Sequence, residues 1–165
     1  MGVIKLGFIS IIVFALIITG ISLLFPSHIR VSKAIDIRTG KDSVMNEISD
    51  ASNWKKWFPG GDSASYFIEA GTIKGIITSS GQSLVITGVT DSSVVAKYTG
   101  PDAKKGQSGW NIIPTNSPDF ITLQWFMDFQ LRWYPWEKFS SLLLEKRYGP
   151  MMEQGLDKLK KILEK

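Results

Sequence analysis

FITLQWFMDFQLRW, Phe120–Trp133, is the stretch whose reading decides the fold. Ile121, Leu123, Trp125, Met127, Phe129, Leu131 and Trp133 fall on one parity; Thr122, Gln124, Phe126, Asp128, Gln130 and Arg132 fall on the other. A period of two predicts a long strand with one wholly apolar face, and that face must be buried. The matching cover lies at the end of the chain. Met152, Leu156, Leu159 and Leu163 recur at helical spacing, with Lys158, Lys160 and Lys161 mostly off the stripe, which predicts an amphipathic helix laid on the strand. Between the two, Pro135 closes the sheet and Trp136–Arg147 is expected to be helical, with Trp136, Phe139 and Leu143 in step. Gly149-Pro150 is expected to break or kink this helix, with Pro150 in the first turn of the next.

Upstream the same grammar continues. Strands are expected at Tyr66–Ala70, Ile73–Thr78, Leu84–Val89, Val94–Tyr98 and Ser108–Ile113, separated by turn signals at Ala70-Gly71, Ser79-Ser80-Gly81, Thr90 to Ser93, Gly100-Pro101-Asp102 and Pro114 to Pro118. Connections this short argue for an antiparallel meander, because parallel crossovers need a dozen or more residues. Ile29–Arg38 alternates as a further half-buried strand. Its one exception is Lys33, on the apolar face, expected at a frayed start. Short helices are expected at Asp42–Ile48 and Asp50–Trp57, with Trp54, Trp57 and Phe58 on one side and Pro59-Gly60-Gly61 as the stop.

Leu6–Phe25, LGFISIIVFALIITGISLLF, carries no charge. A run of roughly 20 residues spans the ~30 Å hydrocarbon core as a helix. A cleaved signal peptide would have an apolar region of about 7–15 residues and a small-x-small site; this run is longer, and Leu23-Leu24-Phe25-Pro26 is a poor site. Residues 1–26 are therefore expected to be a retained anchor and 27–165 a single domain close to the bilayer. The expected location is a single-pass position in a membrane, the bacterial inner membrane by preference. Lys5 is balanced by Arg30 and Lys33 in the positive-inside count. The short N-terminal tail favours a domain on the non-cytoplasmic side.

The 165 residues contain no cysteine, which excludes disulfides, thiol nucleophiles and thiolate metal sites. A net charge of +4, spread along the chain without a basic run, does not describe a nucleic-acid binder. His28 is the one histidine, next to the anchor, so no Ser-His-Asp site is expected in a cleft. No phosphate-binding glycine motif occurs. No catalytic residue, metal ligand or cofactor is expected, and protein partners are unknown. Glu69 and Asp128 are the candidates for a carboxylate acid/base pair, since both lie within expected strands, but they read as solvated surface charges.

The order of strand, two short helices, about six antiparallel strands and long helix resembles the helix-grip fold of the START-like (SRPBCC, polyketide cyclase/dehydrase-like) superfamily. The residues carrying the resemblance are Ile35-Asp36-Ile37, Asn53-Trp54-Lys55-Lys56-Trp57, and Gly149-Pro150-Met151-Met152-Glu153-Gln154-Gly155-Leu156-Asp157-Lys158-Leu159-Lys160. The match is closest to bacterial members with an N-terminal membrane helix, and it covers the chain from Ile29 onward. Phe58-Pro59-Gly60-Gly61 departs from the tryptophan-containing, more acidic stretch of many members and bears on the pocket mouth. The resemblance implies an α+β domain, a curved sheet of about seven strands gripping the C-terminal helix over an apolar cavity. It implies no particular reaction.

Cavity-lining candidates are Trp54, Trp57, Trp110, Trp125, Met127, Phe129 and Met152. The tryptophans, with Trp133 and Trp136, could equally fill a core, and those at strand ends near the anchor could rest at the lipid interface. Two functions follow. The first is a membrane-anchored binding domain for a small apolar or amphipathic ligand, including lipid. The alternative is a non-catalytic structural or interaction module with a filled aromatic core. A cyclase/dehydrase-like enzyme is third, and would need a buried ionisable group facing the cavity.

Overall fold

The computed structural model describes residues 2–79, 81–100, 106–115 and 120–165. The elements are α1 (Gly2–Ser22), β1 (His28–Ile37), α2 (Lys41–Ser49), α3 (Trp54–Trp57), a 3-10 turn (Gly61–Ser63), β2 (Ser65–Glu69), β3 (Thr72–Ile77), β4 (Ser83–Val89), β5 (Ser93–Thr99), β6 (Gly106–Ile113), β7 (Ile121–Gln130), α4 (Pro135–Ser140), a second 3-10 turn (Ser141–Leu143) and α5 (Leu144–Leu163). The expected turns at Ser79–Gly81, Gly100–Asp102 and Pro114–Pro118 fall partly outside the described residues.

The seven strands form one antiparallel sheet in the order β1-β7-β6-β5-β4-β3-β2. β1 is far from β7 in sequence but pairs along its whole length, from His28 opposite Gln130 to Ile37 opposite Ile121. Register shifts at Phe67/Ile68 and Ile86/Gly88 interrupt the ladders; such bulges bend and twist a sheet, and here the concave side faces α5. This is the α+β helix-grip arrangement.

The apolar face of β7 looks onto α5, as its period requires. Leu123, Trp125, Met127 and Phe129 are buried, and so are Met152, Leu156 and Leu159 opposite them. Gly155 sets the spacing. A Cβ there would lie 2.7 Å from the Trp125 ring and 3.0 Å from Pro59. Gly155→Ala would gain about 1 kcal/mol of helix propensity, but overpacking a rigid core costs about 1–3 kcal/mol. We expect net destabilisation, larger for Gly155→Leu, measurable as a lower urea midpoint.

Five sequence expectations are corrected. Leu131–Trp133 lies outside β7, because β1 has no residue left to pair beyond Gln130; Leu131 N–H turns instead to the Ser27 carbonyl at 2.8 Å. Pro150 is not a first-turn residue but lies inside α5. Position 150 is exposed, so water can take up the carbonyl that its missing N–H leaves unpaired. Trp136–Arg147 is not one helix: α4 ends at Ser140, and Trp136, Phe139 and Leu143 are exposed rather than in the core. Lys33 is not at a frayed start. It stands mid-strand opposite Trp125, and its ammonium bridges Glu145 at 2.8 Å and Glu153 at 2.9 Å across Gly149 of α5. The aliphatic stem is covered while the charged end reaches the rim. Helix α3 is also shorter than expected, because Asp50 accepts the Ser52 N–H at 2.9 Å and holds residues 50–53 in a turn.

Candidate functional site

The inner face of the grip has two distinct ends. At one, α3 drops Trp54 and Trp57 onto Trp110 of β6 and Trp125 of β7. Ring centroids lie 5.1 Å apart for Trp54–Trp110, 5.6 Å for Trp57–Trp110 and for Trp110–Trp125, and 6.2 Å for Trp57–Trp125. Phe58 joins at 5.4 Å from Trp125. All four indoles are 0% exposed. No water-sized void therefore touches them, and this end is packed core. The indole N–H of Trp54 donates to the Ile48 carbonyl at 2.9 Å and that of Trp125 to Ser108 Oγ at 2.7 Å. Those of Trp57 and Trp110 have no acceptor among the described residues. Edge-on neighbouring rings are their surroundings, a weak substitute for an oxygen.

The other end is looser. Along β7 exposure rises from Trp125 to Met127 at 2% and Phe129 at 9%. Phe129 pairs with Ile29 on one side and Gly106 on the other, both half-buried. Tyr148 of α5 packs on it, ring centroids 4.9 Å apart. Two hydroxyls sit in this apolar setting. Ser108 is fully buried, and the Tyr98 hydroxyl lies beside it. Burial, then the neighbouring Tyr148, pushes the Tyr98 phenol above the ordinary tyrosine range, against the opposing effect of the Ser108 hydrogen bond. Tyr98 therefore remains a neutral donor and acceptor at physiological pH.

All seven sequence-expected residues thus converge on one buried cluster, Trp54, Trp57, Trp110 and Met152 in its sealed part and Trp125, Met127 and Phe129 along its length. Sequence reasoning did not single out Tyr98, Ser108 or Tyr148. A signal existed: Ser108 shares its parity with Trp110 and Ile112, which places it on the inner face.

The outer face carries the charges. Arg30 donates to Asp128 through Nε at 2.6 Å and Nη2 at 2.8 Å, and Gln107 adds a bond at 3.0 Å. The Arg30 guanidinium also lies 4.3 Å from the Phe126 ring centroid. Phe126 was expected among polar neighbours; it is buried because the end of its ring takes the space left open at Gly109, where any Cβ would meet it at 2.4 Å. Hydrogen bonds from Arg30, opposed by partial burial, hold the Asp128 carboxyl below its ordinary value of 3.8. A depressed carboxylate contributes stability above its unfolded pKa and loses it as pH falls through the folded value. Asp128→Asn should therefore flatten part of the acid-side loss of stability below about pH 5, modestly, because the pair is solvent-screened. Urea midpoints across that range check this. Glu69 pairs with Lys74 at 2.8 Å on the surface.

Elsewhere an open groove of about 300 Å³ runs between α2 and β3–β4, lined by Ser49, Ile73, Lys74, Ile86 and Val89 among others. Its one charged group, Lys74, is already held by Glu69. Among the described residues no group of three His, Cys, Asp or Glu could hold a metal.

Comparisons with known proteins agree with this geometry. Solved structures that share the fold include a START superfamily protein from Mycobacterium smegmatis, 18% identical with a TM-score of 0.55, covering 82% of this chain and 97% of that one. XoxI from Bacillus cereus is 11% identical at a TM-score of 0.59, covering 81% and 94%. Norcoclaurine synthase from Thalictrum flavum, solved with a transition-state analogue, is likewise 11% identical at 0.59, covering 81% and 94%. At these identities the likeness is one of fold alone. No curated protein matches the sequence significantly. The model of the polyketide cyclase/dehydrase and lipid transport family matches residues 28–164, from the first residue of β1 to just past α5, and the chain belongs to that family.

Proposed function

We propose that this chain is a membrane-anchored binding domain that holds one small apolar or amphipathic molecule, with lipid as the leading class, between the sheet and α5. The observation that carries the reading is the contrast between the two ends of the grip. Trp54, Trp57, Trp110 and Met152 form a rigid floor. Trp125, Met127, Phe129 and Tyr148 offer an apolar wall that loosens toward the end where β1 joins the anchor. Tyr98 and Ser108 supply the few convergent polar groups that fix a ligand's orientation in an otherwise apolar site. The family description supports the ligand-binding class, and the apolar length of α1 supports the anchor.

The interaction-module reading has its own observation, the complete burial of the four indoles. One experiment separates the two. Residues 27–165 are expected to fold as a unit, since every strand and α5 lies within them, and to unfold cooperatively in urea. An aggregated product would contradict this boundary. Organic extraction of that purified domain, followed by mass spectrometry, should release about one equivalent of an apolar molecule. A bare domain that also takes up nothing from lipid vesicles would favour the filled-core module.

A further inference from the structure

We infer that the segment around α4 is a second membrane-contact element, an aromatic collar whose Trp133, Trp136, Leu142 and Leu143 side chains sit in the headgroup zone of the bilayer that α1 crosses; this rests on the anchored reading above.

These four side chains are 62%, 67%, 65% and 63% exposed. Large apolar groups clustered in this way on a small domain mark a contact site. Their position selects the partner, because the patch is continuous with the anchor. Phe139 of α4 packs edge-on against Phe25, ring centroids 5.5 Å apart. Ser22, the last residue of α1, is fully buried. Lys138, itself 3% exposed, donates to the Phe25 carbonyl at 2.9 Å and to Ser27 Oγ at 2.8 Å. These contacts fix α4 at the level where α1 ends and the chain leaves the apolar run. Leu23 and Leu24, 67% and 84% exposed, stand beside it in sequence. A surface held at that level meets lipid headgroups before it meets any protein.

The residue types fit that depth. Tryptophan and tyrosine concentrate at membrane interfaces because one end of the ring system is apolar and the other polar. Tyr134 stacks on Trp136 with centroids 4.8 Å apart and planes 5° apart, and Trp133 lies 4.9 Å from Tyr134. The result is a stacked Tyr134–Trp136 pair with the tilted Trp133 ring beside it. Exposed Arg132 and Lys146 flank the segment and can meet phosphates. The collar would hold the looser end of the grip against the bilayer.

The test uses the full chain in phosphatidylcholine/phosphatidylglycerol vesicles, with and without bromine on the upper acyl chain. Of the six tryptophans, four are buried in the core, so brominated lipid should quench mainly Trp133 and Trp136. W133F/W136F, an exposed and conservative pair, should keep the same unfolding midpoint and lose most of that quenching. A carbonate wash in parallel reads the anchor. Carbonate-resistant protein with equal quenching in wild type and variant would overturn the collar alone. Protein released by carbonate whose quenching still depends on the two tryptophans would overturn the anchor and support an interfacial collar. Release with equal quenching would overturn both. Self-association of the full chain in detergent that the double variant abolishes, without bromine quenching, would make the patch a protein contact and overturn the proposal.

Discussion

Trp125→Ala is expected to lower the unfolding free energy by about 3–5 kcal/mol, the range for deleting a large buried aromatic side chain. Trp125 touches both halves of the core. Its ring lies 5.6 Å from Trp110, 6.2 Å from Trp57 and 5.4 Å from Phe58, centroid to centroid, and it fills the space that Gly155 leaves on α5. Three rings and a helix backbone surround the void that alanine would leave, and none collapses easily, so the upper half of the range is expected. Ser108 would also lose the indole N–H that it accepts at 2.7 Å. Trp125→Phe helps to separate these contributions, because it keeps most of the volume but loses the donor and part of the ring, and should cost less than alanine yet more than the about 1–2 kcal/mol of the hydrogen bond alone. Urea unfolding with an unchanged slope would read both. A loss below about 1 kcal/mol for alanine would mean that the ring lines open space rather than core.

The second large effect concerns location. Full-length protein should stay in the membrane pellet after alkaline carbonate, with an intact mass that includes residues 1–26, while residues 27–165 should appear in the supernatant. Across the most apolar 18-residue window of α1 none of the helix is buried by the domain, and Ile4, Phe8, Phe14 and Leu16 are exposed around it. Such a surface requires an apolar cover, and the bilayer matches its length. Val13→Arg, near mid-span, should cost about 2.5–3.5 kcal/mol of insertion and shift protein toward the carbonate supernatant. A mature N-terminus beyond Pro26, or release of the wild type by carbonate, would sink the anchor.

The sheet was legible because its strands alternate strictly and their turns are short. The helix facing it was legible because its stripe falls at helical spacing. What escaped depended on partners distant in sequence. Lys33 looked misplaced on an apolar face because Glu145 and Glu153, which hold it, lie more than a hundred residues away on another element. The end of β7 was overrun because apolar alternation continues to Trp133, whereas the ladder stops where β1 runs out at His28. Pro150 read as a boundary by local rules, but packing of Met152, Leu156 and Leu159 against the sheet outweighs one missing hydrogen bond on an exposed face. The candidate site was half legible. Bulky residues announced the sealed floor, while Tyr98 and Ser108, which lend the looser end its polarity, look ordinary in an antiparallel strand until strand parity is followed across the register.

The central claim, a ligand held inside the grip beside Ser108, is most directly tested by the tryptophan indole N–H resonances of residues 27–165 during titration with a monoacyl lipid kept below its micelle concentration. The Trp125 indole is bonded to Ser108 and stands at the inner end of the looser wall. Trp133 and Trp136 report only the outer surface. The account predicts that the Trp125 signal shifts and saturates near one equivalent, with Tyr98→Phe weakening the response. Shifts confined to Trp133 and Trp136, or none at any indole, would contradict it.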